Sequence, residues 1–322
     1  MIHYTEVWTH RGLVNTWRAR WMSLTTSTAF QPTPFTRARA LLIMGKLCPE
    51  GLDEDLFFQM IVAFRPALRS LEANDERVAV NLLRCIQKIT PSLIRSPRGP
   101  YIILWVPTCL LHIGLVSVFN EAARLLRVVL DSLYTTPDIG VKSVVEVFAQ
   151  ARAPQQIEEN LRNIDAKVGL MFSNANFSFS MAHALFRGIR VPETQEATEQ
   201  LLRTFLRLSD RSQSRERPRP ISEHSLGFFL ALLPTCHTKN ALVELIRASG
   251  GSSSWAFEAE GDAGRPRLSF QALGVSDENT AILVFTFLIG IVETAEAEWE
   301  QEMLFHLLAE ASQAYPNVAT LA

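Results

Sequence analysis

Only four of the 322 residues are cysteine, at 48, 85, 109 and 236, and no two form a Cys-x-x-Cys pair. A disulfide-stapled secreted scaffold or a zinc module needs more thiols or closer spacing, so reduced cysteines in a cytosolic or nuclear chain are expected. Charge of one sign is not in excess either: 31 Lys and Arg oppose 33 Asp and Glu, a formal net charge of -2. That balance argues against a nucleic-acid binder, which normally carries a strongly basic face, but leaves room for a local basic patch. Long apolar runs are scarce. The most apolar, AILVFTFLIGIV from Ala281 to Val292, meets TAEAEWE directly after. It falls short of the roughly 20 residues that a bilayer span needs, so a helix buried on all sides is predicted, and no transmembrane segment. The opening MIHYTEVWTHRGLVNTWRARW carries charges throughout and no apolar h-region of a signal peptide.

Motifs for chemistry are also missing. The histidines at 3, 10, 112, 183, 224, 237 and 306 are scattered, with no HExxH or His-x-His spacing to hold a metal. There is no phosphate-cradling Gly-x-x-x-x-Gly-Lys loop and no Gly-x-Ser-x-Gly nucleophile elbow. The acidic clusters Asp53-Glu54-Asp55 and Glu296 to Glu302 stand at helix starts or on helix faces, where carboxylates offset the helix dipole and keep a face solvated. Phe205-Leu206-Arg207 matches the opening of a motif in Ras GTPase-activating domains, but continues Leu-Ser-Asp rather than toward Pro-Ala. An arginine finger must project into a nucleotide site, and Arg207 ends a helix whose apolar stripe already explains its neighbours. No catalytic residue, cofactor or metal is expected.

What the chain does have is helical periodicity. Ala79, Leu82, Leu83, Ile86 and Thr90 form one stripe; Val118, Ala122, Leu125, Leu126, Val129 and Leu133 form another; Leu304, Leu307, Leu308 and Ala311 a third. Helices are predicted at 13–27, 37–47, 54–71, 75–89, 102–113, 115–133, 141–151, 154–166, 180–189, 193–208, 222–232, 238–248, 278–292 and 297–314. Asn74 and Asp75 are positioned to cap the fourth and Pro91 to stop it, while Pro66 and Pro107 fall inside helices and should kink them. Strand alternation and hairpin turns are almost lacking. Helix pairs at intervals of about forty residues are the pattern of HEAT or armadillo repeats. The fold class is therefore all-α, a HEAT/armadillo-like solenoid of stacked helical hairpins running as one array over 1–322.

Two segments break the pattern. SDRSQSRERPRP, 209–220, is polar and arginine-rich, and its Arg211, Ser212, Ser214 and Arg215 make it a candidate regulatory loop for phosphorylation or anionic partners. GGSSSWAFEAEGDAGRPRLSFQALG, 250–274, is rich in Gly and Ser. Both are expected to protrude as exposed loops.

The stretch VGLMFSNANFSFSMAHALFRGIRVPE, 168–193, places Phe172, Phe177 and Phe179 among small polar residues. It is read as a corner: the phenylalanines anchor an incoming connection, Ser178 or Ser180 caps a helix over 180–189, and Gly188 and Pro192 mark its end and the next start. Asn176-Phe177-Ser178 is formally a glycosylation sequon and is expected to be unused.

This stretch resembles the helical region C-terminal to the Ras-GAP domain of neurofibromin-type proteins, which carries a similar GL-x-F-x-x-N-F-x-F run and a basic helix end. Other blocks agree in order: RW…AFQPTPFTRARALLIMGKL (20–47), ILWVPTCLLHIGLVSVFNEAARLLRVVLDSL (103–133, with Trp105) and FHLLAEASQAYPNVA (305–319). The likeness covers most of 20–322. It implies a helical array linked to scaffolding and self-association, with the catalytic arginine of the family in a separate domain. Phe172, Phe177, Phe179, Gly188 and Trp105 are then structural anchors, and Trp8, Trp17 and Trp21 a candidate interaction face. The expected role is a non-catalytic scaffold or dimerisation arm of a neurofibromin-like negative regulator of Ras, not an enzyme by itself. Its partners would be proteins, another copy or the parent's other domains, with no nucleic acid. It would be cytoplasmic, with membrane association only through other domains of the parent. The rival is an independent adaptor holding a partner peptide in a concave groove. A groove rich in asparagine and basic residues would favour that rival, and a flat apolar face would favour assembly.

Overall fold

A computed structural model describes residues 2–31, 33–48, 54–71, 75–94, 99–140, 142–151, 174–209, 220–251 and 268–320. Among these the regular elements are helical, with no strand, so the fold is all-α. The chain forms two compact units, Met1–Thr136 and Pro137–Ala322.

The first unit contains α1 (Ile2–Ala29), α2 (Pro34–Leu47), α3 (Glu54–Leu71), α4 (Arg77–Leu93), α5 (Gly99–Leu110) and α6 (Val116–Leu133). Helix α1 packs on α2, α5 on α6, and α4 lies between α2 and α6. The predicted stripes carry this packing: Leu82, Leu83 and Ile86 of α4 and Val118, Ala122, Leu125, Leu126 and Val129 of α6 are fully buried. Helices α2 and α4 approach closely at Gly45, where a Cβ would come within 3.1 Å of the Cys85 Cα. Pro66 and Pro107 lie inside α3 and α5, as predicted. Pro91 does not stop α4, which continues to Leu93. The ring removes one donor in the last turn, and the Ile94 N–H still reaches the Thr90 carbonyl at 3.1 Å, so the helix survives for two more residues. Asp75 does serve the first turn of α4, its carboxylate accepting from the Arg77 backbone N–H at 3.3 Å, though from one position before the cap. Glu76 holds the cap position without a side-chain bond, and the Asp75 carboxylate also accepts from Arg77 Nε at 2.9 Å, which holds its carboxyl below the usual range.

The second unit contains α7 (Pro137–Gly140), α8 (Val144–Gln150), α9 (Asn174–Arg190), α10 (Pro192–Ser209), α11 (Glu223–Leu232), α12 (Lys239–Ala248), α13 (Glu278–Val292), α14 (Glu298–Ala314) and α15 (Pro316–Ala319), with 3-10 turns at Leu233–Thr235 and Phe270–Leu273. Helix α9 is central, in contact with α10, α11 and α13. Several starts are capped as their sequences allow. Ser143 and Glu146 form a capping box on α8, and the Asp277 carboxylate accepts from the Thr280 N–H (2.9 Å) and hydroxyl (2.7 Å) on α13.

Two expectations are corrected here. Helix α13 is not buried on all sides: Ala281, Val284, Phe285 and Leu288 face the core, while Ile282 and Thr286 face solvent. The apolar run concealed an ordinary one-sided helix, because its exposed positions are also filled by apolar or small residues. The segment 250–274 is not an exposed loop throughout. Leu268, Phe270, Ala272 and Leu273 are buried, and the equally buried Ile221 donates its N–H to the Ala272 carbonyl at 2.8 Å. Glu310 of α14 accepts from the Phe270 N–H, and the Tyr315 hydroxyl donates to the Val275 carbonyl at 3.0 Å. Residues 210–219 and 252–267 lie outside the described set.

Candidate functional site

The Asn-Phe-Ser-Phe stretch, read from sequence as a corner, lies within the first turns of α9. Successive helical residues point about 100° apart, so Phe177, Ser178 and Phe179 face three different neighbours. Phe177 meets Phe148 of α8 (centroids 5.0 Å) and Phe205 of α10 (6.5 Å), and Phe205 stacks on Phe228 of α11 at 4.9 Å. Phe179 makes an edge contact with Phe287 of α13 at 5.8 Å, shared by Phe186 at the same distance. Ser178, fully buried, faces Gly227 of α11, where an added Cβ would lie 2.6 Å from the Ser178 carbonyl. Ser178 therefore caps nothing; its hydroxyl donates to the Glu223 carbonyl at 3.4 Å. The third residue of the sequon, Ser178, is thus buried within a helix. The stretch is the start of a helix and not a corner, and its phenylalanines pack against helices α8, α10 and α13. Gly188 is buried near the end of α9, and its carbonyl accepts from the Thr194 hydroxyl at 2.8 Å, tying the turn into α10. Phe172 lies outside the described residues. Trp105 is half-buried in α5.

The end of α9 carries a polar anchor that sequence reasoning missed. Arg190 makes a two-pronged ion pair with Glu300 of α14, Nη1 donating to Oε2 at 3.1 Å and Nη2 donating to Oε1. Glu300 is almost completely buried. Arg190 Nε also donates to the Thr294 hydroxyl oxygen at 3.2 Å, and the guanidinium lies over the Phe186 ring at 5.2 Å. Planar guanidinium suits this multiple role, which a point charge on lysine would not.

The candidate interaction face begins on α1. Trp17 and Trp21 are at least half exposed, and so are Val14 and Leu24 on the same helix. The four are spaced three, four and three residues apart, the a/d spacing of a helix that pairs with another. Helix α1 meets the core through a different face, where Thr25 and Ala29 are buried. The side chain of Trp8 is outside the described set, as are Arg211, Ser212, Ser214 and Arg215. Arg207 is exposed at the end of α10, between buried Leu206 and Leu208.

Among the described residues no group of three or more His, Cys, Asp or Glu gathers as a metal site, and no helix is long and apolar enough to cross a membrane. Cys109 is exposed, while Cys48, Cys85 and Cys236 are buried. Burial pushes the Cys85 thiol up to about 12 and Cys236 to about 11. Titration with a chromogenic disulfide at mild alkaline pH should therefore label Cys109 rapidly and the other three only on unfolding. Three fast thiols would contradict the packing. The same shifts set an alkaline limit. Below roughly pH 8.5 both states hold these protons. As pH rises from there towards the folded values, the unfolded chain releases them first and stability falls.

A second surface was not foreseen from sequence. Helices α2, α4 and α6 line a cleft of about 260 Å³ with Leu42, Gly45, Lys46, Arg84, Cys85, Gln87, Lys88, Glu121 and Arg124. Glu121 is nearly buried; its Oε1 accepts from Arg84 Nε (3.0 Å), Arg84 Nη2 (2.8 Å) and Arg124 Nη1 (3.1 Å). The two guanidinium groups are thus held at the rim, each about half exposed. No family model matches the chain.

Proposed function

We propose that this chain is a non-catalytic scaffold arm that self-associates, part of a neurofibromin-like negative regulator of Ras signalling in the cytoplasm. The observation that carries the reading is the exposed stripe Val14–Trp17–Trp21–Leu24 on α1. A heptad-spaced apolar stripe is self-complementary, so a second copy offers the same surface and a two-fold pair buries both. Contiguous exposed aromatics on one helix mark an interface where scattered ones would not. The resemblance over 20–322 supplies the wider context, and the packing of α4 between α2 and α6 supports stacked hairpins of HEAT/armadillo type.

Light scattering across a concentration series tests it. The wild type should approach twice the monomer mass as concentration rises. A Trp17→Glu/Trp21→Glu variant should remain monomeric with its thermal midpoint nearly unchanged, since exposed substitutions normally shift stability by no more than about 0.5 kcal/mol. A wild-type monomer at every concentration, or an unaltered dimer in the variant, would remove α1 as the contact.

A further inference from the structure

We infer that the cleft between α2, α4 and α6 is a docking site for an acidic peptide segment of a partner protein. This goes beyond self-association through α1 and does not depend on it. Four cationic side chains, Lys46, Arg84, Lys88 and Arg124, surround the cleft against one carboxylate, Glu121, on a chain whose overall balance is slightly negative. Local charge this far from the average is an electrostatic footprint for an anion.

The internal bonding sharpens the reading. Glu121 is engaged by Arg84 and Arg124 and serves to hold both guanidiniums at the rim, so it does not cancel the site. Lys46 and Lys88 are exposed, and neither has an acidic partner among the described residues. The cations stand one per helix or more, at 46, 84 with 88, and 124, recurring at about the forty-residue interval of helical hairpin repeats. A recurring charge on adjacent helices makes a row, which suits an extended chain better than a single small anion.

The floor argues for a peptide over a membrane surface. It is recessed and partly apolar, with Gly45 and Cys85 buried at its base and Leu42 at the edge. A flat lipid surface touches the lysines but not that base, whereas a peptide can place an apolar side chain there between its carboxylates. The volume lies below the roughly 300–1,000 Å³ of sites that enclose small molecules, consistent with a segment lying across the cleft. Gln87 lines it and offers an amide group of the kind that bonds a peptide backbone.

Fluorescence anisotropy with a labelled peptide of alternating glutamate and leucine tests the site, with the glutamine counterpart as control. The acidic peptide should bind and weaken steeply as salt rises. Lys46→Glu/Lys88→Glu should weaken binding by about tenfold or more, and Lys239→Glu in the second unit should leave it unchanged. Circular dichroism checks that the variants fold; Lys46→Gln/Lys88→Gln replaces the pair if they do not. The same affinity in the Lys46/Lys88 variants, or equal binding of the glutamine peptide, would overturn the site. So would binding to phosphatidylserine vesicles, lost in those variants, without any peptide binding. Light scattering of the Lys46/Lys88 variants separates the two readings: their self-association should match the wild type, because α1 is untouched.

Discussion

Arg190→Ala should destabilise the second unit by about 3–5 kcal/mol, because it strands the Glu300 carboxylate in a nearly closed environment. The loss has several parts. Both prongs of the ion pair go, the Thr294 hydroxyl oxygen loses a donor, and the Phe186 ring loses the cation above it. For a unit of this size that amounts to a fall in midpoint of roughly 6–20 °C. Arg190→Lys should fall between, since an ammonium cannot bond both carboxylate oxygens and Thr294 in one plane. The informative variant is the double one, Arg190→Met/Glu300→Leu. Removing both charges leaves nothing buried and unpaired, so most of the loss should be recovered. Urea unfolding followed by tryptophan fluorescence measures all three, with Trp299 of α14 next to the affected carboxylate in sequence. A double variant as unstable as Arg190→Ala would show that packing, not the stranded charge, sets the cost.

Two glycines in helices should respond to the same substitution with opposite sign. Alanine normally gains up to about 1 kcal/mol over glycine in a helix interior. At Gly290 in α13 nothing lies within 4 Å of the added methyl, so Gly290→Ala should stabilise by close to that amount. At Gly227 in α11 the methyl would sit 2.6 Å from the Ser178 carbonyl and 2.7 Å from the Phe179 nitrogen. These are backbone atoms, which cannot rotate away. Helices α9 and α11 must separate, and with them the aromatic contacts on either side of Ser178. Overpacking of this kind costs about 1–3 kcal/mol or more, so the clash outweighs the propensity gain. Gly227→Val should be worse than Gly227→Ala. Thermal unfolding of the three variants would decide it, and a Gly227→Ala protein as stable as the wild type would mean the two helices are not held at this distance.

Helix ends were legible where a polar or acidic start meets an apolar body, less so where proline was taken as the stop, as at Pro91 in α4. Helices α3 and α13 have the predicted ends, and α6 and α14 begin one residue later than predicted. The start of α9 was misread for an identifiable reason. Asn, Ser and Phe are indifferent helix formers, and phenylalanines two apart imitate a strand or a loop. Packing on three sides overrides that local preference, which a window of sequence does not contain. The Arg190–Glu300 pair is hidden differently: its partners are 110 residues apart, and each is an unremarkable charge in its own helix. The basic cleft was invisible for the same reason, since no two of its three helices are adjacent along the chain. The exposed α1 stripe was half seen. Its tryptophans stood out by type, whereas Val14 and Leu24 acquire meaning only once α1 is known to face the core with another side.

The anchoring of Ile221 has an evolutionary consequence. A side chain at Gly251 would press against Ile221, with an added Cβ 3.1 Å from its Cγ1, and the Ile221 N–H is bonded to Ala272. The chain on either side of 252–267 therefore returns to one residue. Contacts on Ile221 from both flanks thus hold residues 251 and 272 close together, whatever the length of chain that joins them. Selection therefore meets both flanks at one residue: a substitution at Gly251 or at Ala272 is felt at Ile221, so the three positions are expected to vary together.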